Sequence, residues 1–208
     1  SDLFINDSRI KFFHENIPDQ NNARNLGISL ATGEFIRFLD DDDYLFPAAA
    51  AKQYAFMRDE ILDFCSANAL VADHDGSILQ KLHQPNTPTP EAATLSSDRL
   101  QLPFTHVYRR STIQSMRWKV GLRQSEDIEW LIRYASSAPR RWKRIDVYVG
   151  AWYQHMGARQ SLNKPSGFIH EASVNALFEA YSTIKMQSRM TSELALLIAE
   201  AILELAHR

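Results

Sequence analysis

Residues 23 to 47 read ARNLGISLATGEFIRFLDDDDYLFP, and this stretch decides the fold. Apolar side chains at Ala23, Leu26 and Leu30 recur at helical spacing, and Thr32-Gly33 is a typical helix stop. The residues that follow, EFIRFLD, have strand character. A helix joined to a strand by a short connection is the element order of proteins in which helices cover a sheet.

The sequence on both sides continues this alternation of strand and helix. Upstream, RIKFFH at residues 9–14 has strand character, so that strand, helix and strand predict a parallel α/β unit. Downstream, Asp75-Gly76 predicts a hairpin turn, and HQPNTPTPEAATLSSD at residues 83–98 predicts a mobile loop. The other predicted elements are a helix in PAAAAKQYAFM, a strand in FTHVYRR, a helix in SEDIEWLIRYAS, a strand in RIDVYVGAWYQH, and two helices after about Gly167 with a break near Gln187 to Thr191. We therefore expect an α/β domain over residues 1–165 and a helical extension over residues 166–208.

The composition is that of an ordinary globular chain. Its 208 residues are 45% hydrophobic, which is enough for a substantial core, and the net charge of −2 gives no general attraction to nucleic acid. Cys65 is the single cysteine, so an intrachain disulfide is impossible and a reducing, cytoplasmic setting fits best. No run of sequence reaches the roughly 20 apolar residues of a membrane-spanning helix.

Four consecutive carboxylates, Asp40 to Asp43, end the predicted strand EFIRFLD. In a parallel α/β sheet, ligands bind where the carboxyl ends of strands open into loops. Crowded carboxylates repel each other, and a divalent cation offsets that repulsion, with Mg²⁺ or Mn²⁺ favoured by hard oxygen ligands. A solvated acidic turn, or caps for the next helix, would explain the same residues. The four aspartates alone leave both interpretations open.

Two separated motifs resemble those of family 2 glycosyltransferases, whose nucleotide-sugar domain has the GT-A fold. Residues 23–47 are similar to the family's Ala-Arg-Asn-x-Gly helix and its Gly-Glu-hydrophobic-Ile-x-Phe-Leu-Asp-x-Asp-Asp strand. Residues 107–135 are similar to its arginine pair, the helix that follows, and a Glu-Asp start to another helix. The resemblance covers about residues 8–162. It implies an α/β fold of the GT-A (Rossmann-like) type, a mixed sheet flanked by helices, here with a C-terminal helical pair.

The resemblance implies a donor site at the aspartates. Asp40 and Asp42 would be the Asp-x-Asp pair that holds Mn²⁺ or Mg²⁺ and the diphosphate of a nucleotide-sugar, a UDP-sugar foremost. Asp41 would take the variable position and Asp43 the aspartate that follows the pair, although four identical residues permit a shift by one. Arg24 would lie near the nucleotide base. A surface charge on the helix is the alternative for Arg24.

The resemblance also implies an acceptor site at the second motif. Asp127 would be the general base that takes the proton from the acceptor hydroxyl, and Glu126 would orient the acceptor beside it. A purely structural alternative is that Ser125 caps the helix while both carboxylates favour its first turn through the helix dipole. The two interpretations are compatible, since a helix N-terminus keeps a carboxylate ionised.

Residues after the last predicted strand would complete the donor site. His155 resembles the histidine that many relatives use as a third metal or phosphate ligand, and a structural role beside Trp152 and Tyr153 is the alternative. Arg159 and Ser161 could hold the leaving diphosphate, because the arginine fork matches phosphate oxygens.

The implied function is that of a metal-dependent, inverting glycosyltransferase that moves a sugar from a nucleotide-sugar to an acceptor hydroxyl. Polysaccharide, lipopolysaccharide or other glycoconjugate synthesis at the cell envelope would supply a carbohydrate or lipid-linked acceptor. A non-catalytic relative that serves as a binding or assembly module is the alternative. A nucleotidyltransferase that uses the same aspartates on a related fold is a third possibility.

One departure from the family concerns the start of the sequence. Family members begin with a strand, a helix and a second strand that precede the position of Ser1, so catalysis is expected only when this unit is supplied. A sheet without those strands would expose edges that recruit another chain. We therefore expect a partner chain or a separate N-terminal piece.

Two further stretches predict contacts outside the site. Between Arg109 and Arg144 there are ten Lys or Arg and three acidic residues, which predicts peripheral contact with the inner membrane face or with a phosphate-bearing acceptor. Solvated surface is the alternative. ELALLIAEAILELAH at residues 193–207 is apolar on most of its circumference, so it should pack on the preceding helix or in a homo-oligomer interface.

Overall fold

A mixed sheet lies at the centre of the computed structural model, which describes residues 7–16, 18–96, 98–122, 125–154 and 167–206. Within these ranges the strands are β1 (Phe35–Ile36), β2 (Asp43–Leu45), β3 (Phe64–Asp73), β4 (Ile78–Leu82), β5 (His106–Arg109) and β6 (Trp142–Gln154). The helices are α1 (Gln20–Leu30), α2 (Pro47–Asp59), α3 (Pro90–Leu95), α4 (Arg110–Ile113), α5 (Glu126–Ser137), α6 (Gly167–Met186) and α7 (Ser192–Ala206), and Pro103–Thr105 form a 3₁₀ turn.

The strands are ordered β1-β5-β3-β6-β2, and β4 pairs with β3. β3 and β6 run parallel, whereas the other pairs are antiparallel. The predicted α/β class with a mixed sheet is therefore confirmed. Because β1 and β2 lie at the two ends of this order, residues 37–42 carry the chain from one edge of the sheet to the other. Three of the four consecutive aspartates, Asp40 to Asp42, lie on this crossing, and the fourth begins β2.

An aromatic cluster fills the space between the sheet and helices α1 and α5. Phe38 packs edge-on against Trp118 and Trp130, whose parallel rings have centroids 4.5 Å apart. Tyr134 of α5 packs edge-on against Phe64 of β3 at 5.0 Å. Full burial of a large apolar side chain contributes roughly 1.5–3 kcal/mol, so this cluster fixes α5 and α1 on one face of the sheet. The buried members are Ile28, Ile36, Phe38, Phe64, Tyr108, Ile113, Trp118, Trp130, Leu131 and Tyr134.

The region between β3 and β5 contains the predicted hairpin and one unexpected helix. The hairpin turns at Gly76, whose φ of 85° is a left-handed value that suits glycine. Residues 83–98, expected to be a mobile loop, contain α3, and every residue of this helix is buried. Thr89 caps α3 by accepting a hydrogen bond from the N–H of Ala92, and Pro90 begins it. The prolines therefore start a helix here instead of marking an open loop.

The predicted strand at residues 9–14 is wrong, because residues 10–15 have no regular secondary structure. Phe12 is 74% exposed and Phe13 is 57% exposed. A strand is stable only when a neighbouring strand pairs with it and a face is buried. Within the described residues, this stretch has neither a pairing strand nor a buried face, so its strand-forming composition does not produce a strand.

Helices α6 and α7 pack on α5 and α3 around a second apolar cluster. The break between them, at residues 187–191, lies where the sequence predicts it. Leu194 and Ile198 of α7 are buried in this cluster, while Leu196 and Leu203 are more than half exposed. Packing inside the chain thus accounts for one side of α7, and both the domain boundary and the homo-oligomer contact stay predictions. In the described part of the chain, no helix is long and apolar enough to cross a membrane.

Candidate active site

Arg24 of α1 lies between two carboxylates from distant parts of the sequence. Its Nη2 lies 2.8 Å from Oδ1 of Asp40, and its Nη1 lies 3.0 Å from Oδ1 of Asp127. The arginine side chain is 9% exposed, whereas those of Asp40 and Asp127 are 39% and 25% exposed. The structure thus brings the two sequence motifs together at one site that is open to solvent.

Trp118 forms the surface on which Arg24 rests. The guanidinium carbon lies 4.4 Å from the centre of the Trp118 ring, which is a favourable cation–π distance. The side chain of Asn25, the next residue of α1, accepts a hydrogen bond from the backbone N–H of Trp118 at 2.7 Å and donates one to the backbone carbonyl of Trp118 at 2.9 Å. The other face of the indole stacks on Trp130 of α5. These contacts hold the tryptophan in one position under the guanidinium.

Two side chains at the start of α1 also tie this helix to the segment before α5. Asn21, which is fully buried, donates to the carbonyls of Lys119 and Leu122, both at 2.9 Å. Asp19 caps α1 and also accepts from the N–H of Gly121 at 2.8 Å. The helix that carries the arginine and the segment that leads to Asp127 are therefore joined by several hydrogen bonds.

The Asp127 carboxyl can exchange a proton near neutral pH. Burial raises its pKa from 3.8 to about 7, the Arg24 charge opposes this rise, and the carboxylates of Glu126 and Asp40 add to it. A general base acts best when its pKa lies near the working pH. The exposed quarter of the side chain leaves room for a hydroxyl group to approach it.

Glu126 lies beside Asp127 and has a different partner, since it accepts a hydrogen bond from the side-chain amide of Gln20. Ser125, at the cap position, has a left-handed φ of 57° and makes no side-chain cap hydrogen bond. Capping by Ser125 therefore does not explain this helix start. A left-handed non-glycine residue costs roughly 1–3 kcal/mol, and such strain is concentrated at functional sites.

The four aspartates of the acidic turn differ in their surroundings. Asp41 and Asp42 are exposed, Asp40 is partly exposed, and Asp43 begins β2 opposite Trp152 of β6. Burial, together with the charges of its three acidic neighbours, raises the pKa of Asp43 to about 7, and a hydrogen bond from the backbone of Tyr153 opposes this rise. Oδ1 of Asp43 is buried and has no hydrogen-bond partner within the described residues. A nearby cation would satisfy this oxygen and lower the pKa.

The acidic turn fits a hard divalent cation. Among the residues that the structure describes, no group of three or more His, Cys, Asp or Glu side chains is placed to hold a metal ion by itself. A magnesium site commonly uses one or two protein carboxylates together with substrate phosphates and water. The exposed Asp42 and the buried oxygen of Asp43 therefore suit a cation that is shared with a diphosphate better than a closed protein site.

Asp43→Asn should stabilise the metal-free protein at alkaline pH. The folded-state pKa of Asp43 is raised above its unfolded value, so its ionisation costs stability above about pH 7, and the cost disappears as the pH falls toward 4. We expect the variant to melt about 2–4 °C higher than the wild type at about pH 8.5 and at the same temperature near pH 4. Calorimetry in EDTA measures both values, with the exposed Asp59→Asn as the control. A variant that melts lower at the alkaline pH would contradict this prediction.

Comparison with known proteins identifies the family. The sequence profile of "Glycosyl transferase family 2" matches residues 1–164. The chain belongs to glycosyltransferase family 2. An uncharacterized glycosyltransferase of Rickettsia bellii is 34% identical over 77 residues, which are 37% of this chain and 11% of that protein. EpsH of Bacillus subtilis, whose name describes a glycosyltransferase, is 29% identical over 122 residues, which are 56% of this chain and 36% of EpsH.

Solved structures show the same fold as this family 2 domain. TarS 1–349 of S. aureus in complex with UDP-GlcNAc superimposes with a TM-score of 0.65 at 18% identity, over 88% of this chain and 51% of that one. The complex of TarS 1–349 with UDP gives a TM-score of 0.52 over 76% and 44%. The expected GT-A fold is therefore confirmed. The chain spans from about a tenth to about half of the length of these relatives.

Three predicted site residues of this glycosyltransferase domain, His155, Arg159 and Ser161, lie outside the described residues. Their roles as metal or diphosphate ligands stay predictions. Of the other predicted residues, Arg24 joins Asp40 to Asp127, Glu126 accepts a hydrogen bond from Gln20, and Asp41 and Asp42 are exposed.

Sequence reasoning missed the residues that hold Arg24 in place. Asn25 was visible as the third letter of the Ala-Arg-Asn motif, although no role was assigned to it. Trp118 gave no such signal, because it is one of three tryptophans between Arg109 and Arg144 and each is compatible with an ordinary core position. The hydrogen bonds between them identify both as supports of the site.

Ion pairs engage much of the basic stretch between Arg109 and Arg144. The pairs are Arg109–Glu34, Arg141–Asp63, Lys143–Glu60, Lys119–Glu129 and Arg133–Glu129. Glu129 is buried, whereas Glu34 and Glu60 are exposed. All of these carboxylates reduce the positive charge that an anionic surface would meet. The pairing favours the solvated-surface interpretation, and membrane contact stays a prediction.

Proposed function

We propose that this domain is a metal-dependent, inverting glycosyltransferase that uses a UDP-sugar donor and a carbohydrate or lipid-linked acceptor. The observation that carries the proposal is the contact of Arg24 with both Asp40 and Asp127. This contact joins the motif that the family resemblance assigns to donor binding to the motif that it assigns to the general base. TarS, which shares the fold, was solved with UDP-GlcNAc and with UDP, and this supports a UDP-sugar donor.

Asp127 is the general base of the proposed reaction. Its carboxylate accepts the proton of the acceptor hydroxyl as the hydroxyl oxygen forms a bond to the anomeric carbon of the sugar. The bond from that carbon to the donor diphosphate breaks, and its electron pair leaves with the diphosphate. A single displacement of this kind inverts the anomeric configuration and requires no nucleophile from the enzyme. Glu126, held by Gln20, is placed beside the base to orient the acceptor.

The acidic turn holds the donor in this proposal. Asp40 and Asp42 are the carboxylates for the cation and the diphosphate, and the buried oxygen of Asp43 lies next to them in sequence. Mn²⁺ or Mg²⁺, when bound, would neutralise the charge that develops on the leaving diphosphate. His155, Arg159 and Ser161 are assigned to the same diphosphate by the family resemblance.

A thermal melt with Mn²⁺ and UDP tests donor binding. At a UDP concentration of about 100 times Kd, binding to the folded state should stabilise the chain by about 2.7 kcal/mol, which raises Tm by about 5 °C or more. Asp42→Asn should abolish most of the shift, and Asp59→Asn, an exposed aspartate on α2, should retain it. Absence of a shift with every nucleoside diphosphate would contradict the proposal and favour a non-catalytic binding or assembly module.

The acceptor and the cellular setting are further parts of the proposal. We expect synthesis of polysaccharide, lipopolysaccharide or a related glycoconjugate of the cell envelope, with the domain on the cytoplasmic side. Mass spectrometry of products from a panel of UDP-sugars and lipid-linked or soluble acceptors would identify both substrates. Hydrolysis of the donor without transfer to any acceptor in the panel would contradict this assignment.

A further inference from the structure

One guanidinium serves two carboxylates in this site, and it contacts each of them through a different nitrogen. An arginine fork can bind a single carboxylate with two parallel hydrogen bonds. Here the fork is divided, with Nη2 on Asp40 and Nη1 on Asp127. Each carboxylate therefore holds only part of the bonding capacity of Arg24.

The two ends of this bridge differ in how firmly they are held. Asp127 lies in the first turn of α5 and is a quarter exposed, whereas Asp40 lies on the crossing between the edge strands and is 39% exposed. The arginine itself is 9% exposed and rests on Trp118. A ligand that takes Asp40 from solvent therefore removes the more accessible partner and leaves the guanidinium beside Asp127.

We propose that Arg24 is a positioning residue that holds the base Asp127, and that a divalent cation at Asp40 competes with Arg24 for that carboxylate. This inference rests on the proposed function. It differs from the role that the resemblance implies for Arg24, which is contact with the nucleotide base. If Arg24 contacts the nucleotide base, its removal weakens donor binding. If Arg24 positions Asp127, its removal frees Asp40 and leaves Asp127 without its partner.

Binding of Mn²⁺ alone tests the Asp40 end without any turnover. Arg24→Met should bind Mn²⁺ about three- to tenfold more tightly than the wild type, because the cation no longer displaces a partly exposed ion pair. The same substitution should have no effect in an Asp40→Asn background. Electron paramagnetic resonance of free Mn²⁺ gives each affinity. Arg58→Met, at an exposed arginine that pairs with Asp59, is the matched control and should leave the affinity unchanged.

Donor turnover tests the Asp127 end. Arg24→Met should lower kcat by about 100-fold, the loss expected when a catalytic group is slightly misplaced, while the donor KM stays within about threefold of the wild type. Arg24→Lys keeps the charge but not the fork, so it should recover about tenfold of the lost rate, and it also serves if the methionine variant does not fold. A donor KM that rises tenfold or more with kcat unchanged would indicate the nucleotide contact and overturn the proposal.

The two arms distinguish failure of this inference from failure of the proposed function. A wild-type chain that binds Mn²⁺ more weakly than Arg24→Met, yet transfers no sugar, would refute the proposed function while supporting competition at Asp40. Equal Mn²⁺ affinity in the two proteins would overturn the inference. Absence of Mn²⁺ binding to either protein at millimolar concentration would overturn it as well, since Arg24 would then have no competitor.

Discussion

Asp127→Asn should reduce the rate of sugar transfer by roughly 100- to 10,000-fold, the usual contribution of a positioned general base. The amide keeps the size of the carboxyl and can still accept a hydrogen bond from Arg24 through its oxygen, but it cannot take the proton of the acceptor hydroxyl. Because burial raises the pKa of Asp127 to about 7, removal of its charge should not destabilise the fold at neutral pH. Steady-state assays of UDP release measure the rate, and a thermal melt measures the fold.

Two comparisons make this prediction specific to the base. The Mn²⁺ and UDP melting shift should be retained in Asp127→Asn, since the variant leaves the acidic turn unchanged. Glu126→Gln should lose no more than about tenfold in rate, because Glu126 contacts Gln20 rather than Arg24. A rate for Asp127→Asn within tenfold of the wild type would exclude Asp127 as the base and redirect attention to Glu126.

Gly150→Ala should be the most destabilising single-methyl substitution in the strands that position the acidic turn. A Cβ on Gly150 of β6 would lie 2.1 Å from the carbonyl oxygen of Tyr44 and 2.9 Å from Cε2 of Phe104. The first of these atoms belongs to the backbone of β2, so β2 must move away from β6. We expect a loss of about 3 kcal/mol or more, equivalent to about 6–12 °C in Tm, measured by thermal or urea unfolding.

The same substitution should also remove donor binding, because β2 begins with Asp43. If β2 shifts, the acidic turn shifts with it, and the Mn²⁺ and UDP melting shift should disappear. Gly27→Ala is the matched control: apart from the adjacent residues and the backbone of α1, no heavy atom lies within 4 Å of its added Cβ. Alanine in a helix interior should stabilise α1 by about 0.5–1 kcal/mol. A Gly150→Ala protein as stable as the wild type would contradict this prediction, because β2 could then move away from β6 without loss of stability.

The elements that could be predicted from sequence are those whose signals are local. α1 lies where the apolar spacing and the helix stop predict it, although its buried residues are Asn21 and Ile28, while Ala23 and Leu30 are exposed. The hairpin at Gly76 follows from a turn that requires a left-handed φ. The strand predicted at residues 9–14 does not form, because a strand needs a partner strand and strand-forming composition alone does not supply one. The helix at Pro90 was hidden because proline can begin a helix as well as break one.

The candidate site was predicted as a set of residues but not as an arrangement. The motifs named Arg24, Asp40 and Asp127 separately, and the resemblance assigned Arg24 to the nucleotide. That one guanidinium joins the two aspartates could not be inferred, because a contact between segments 103 residues apart leaves no trace in local periodicity. The role of Asn25 was likewise invisible, since its partner is a backbone 93 residues away.

The hydrogen bonds from α1 to α5 and to the segment before it have a consequence for the order in which the protein folds. These bonds close loops of 93 to 103 residues, so nearly half the chain loses conformational entropy when they form. α1 leaves the ribosome before Trp118 and α5 are synthesised, so its contacts with them form only later. The candidate active site is therefore a late product of folding, and translation intermediates that stop before α5 would carry Arg24 and the acidic turn without Asp127.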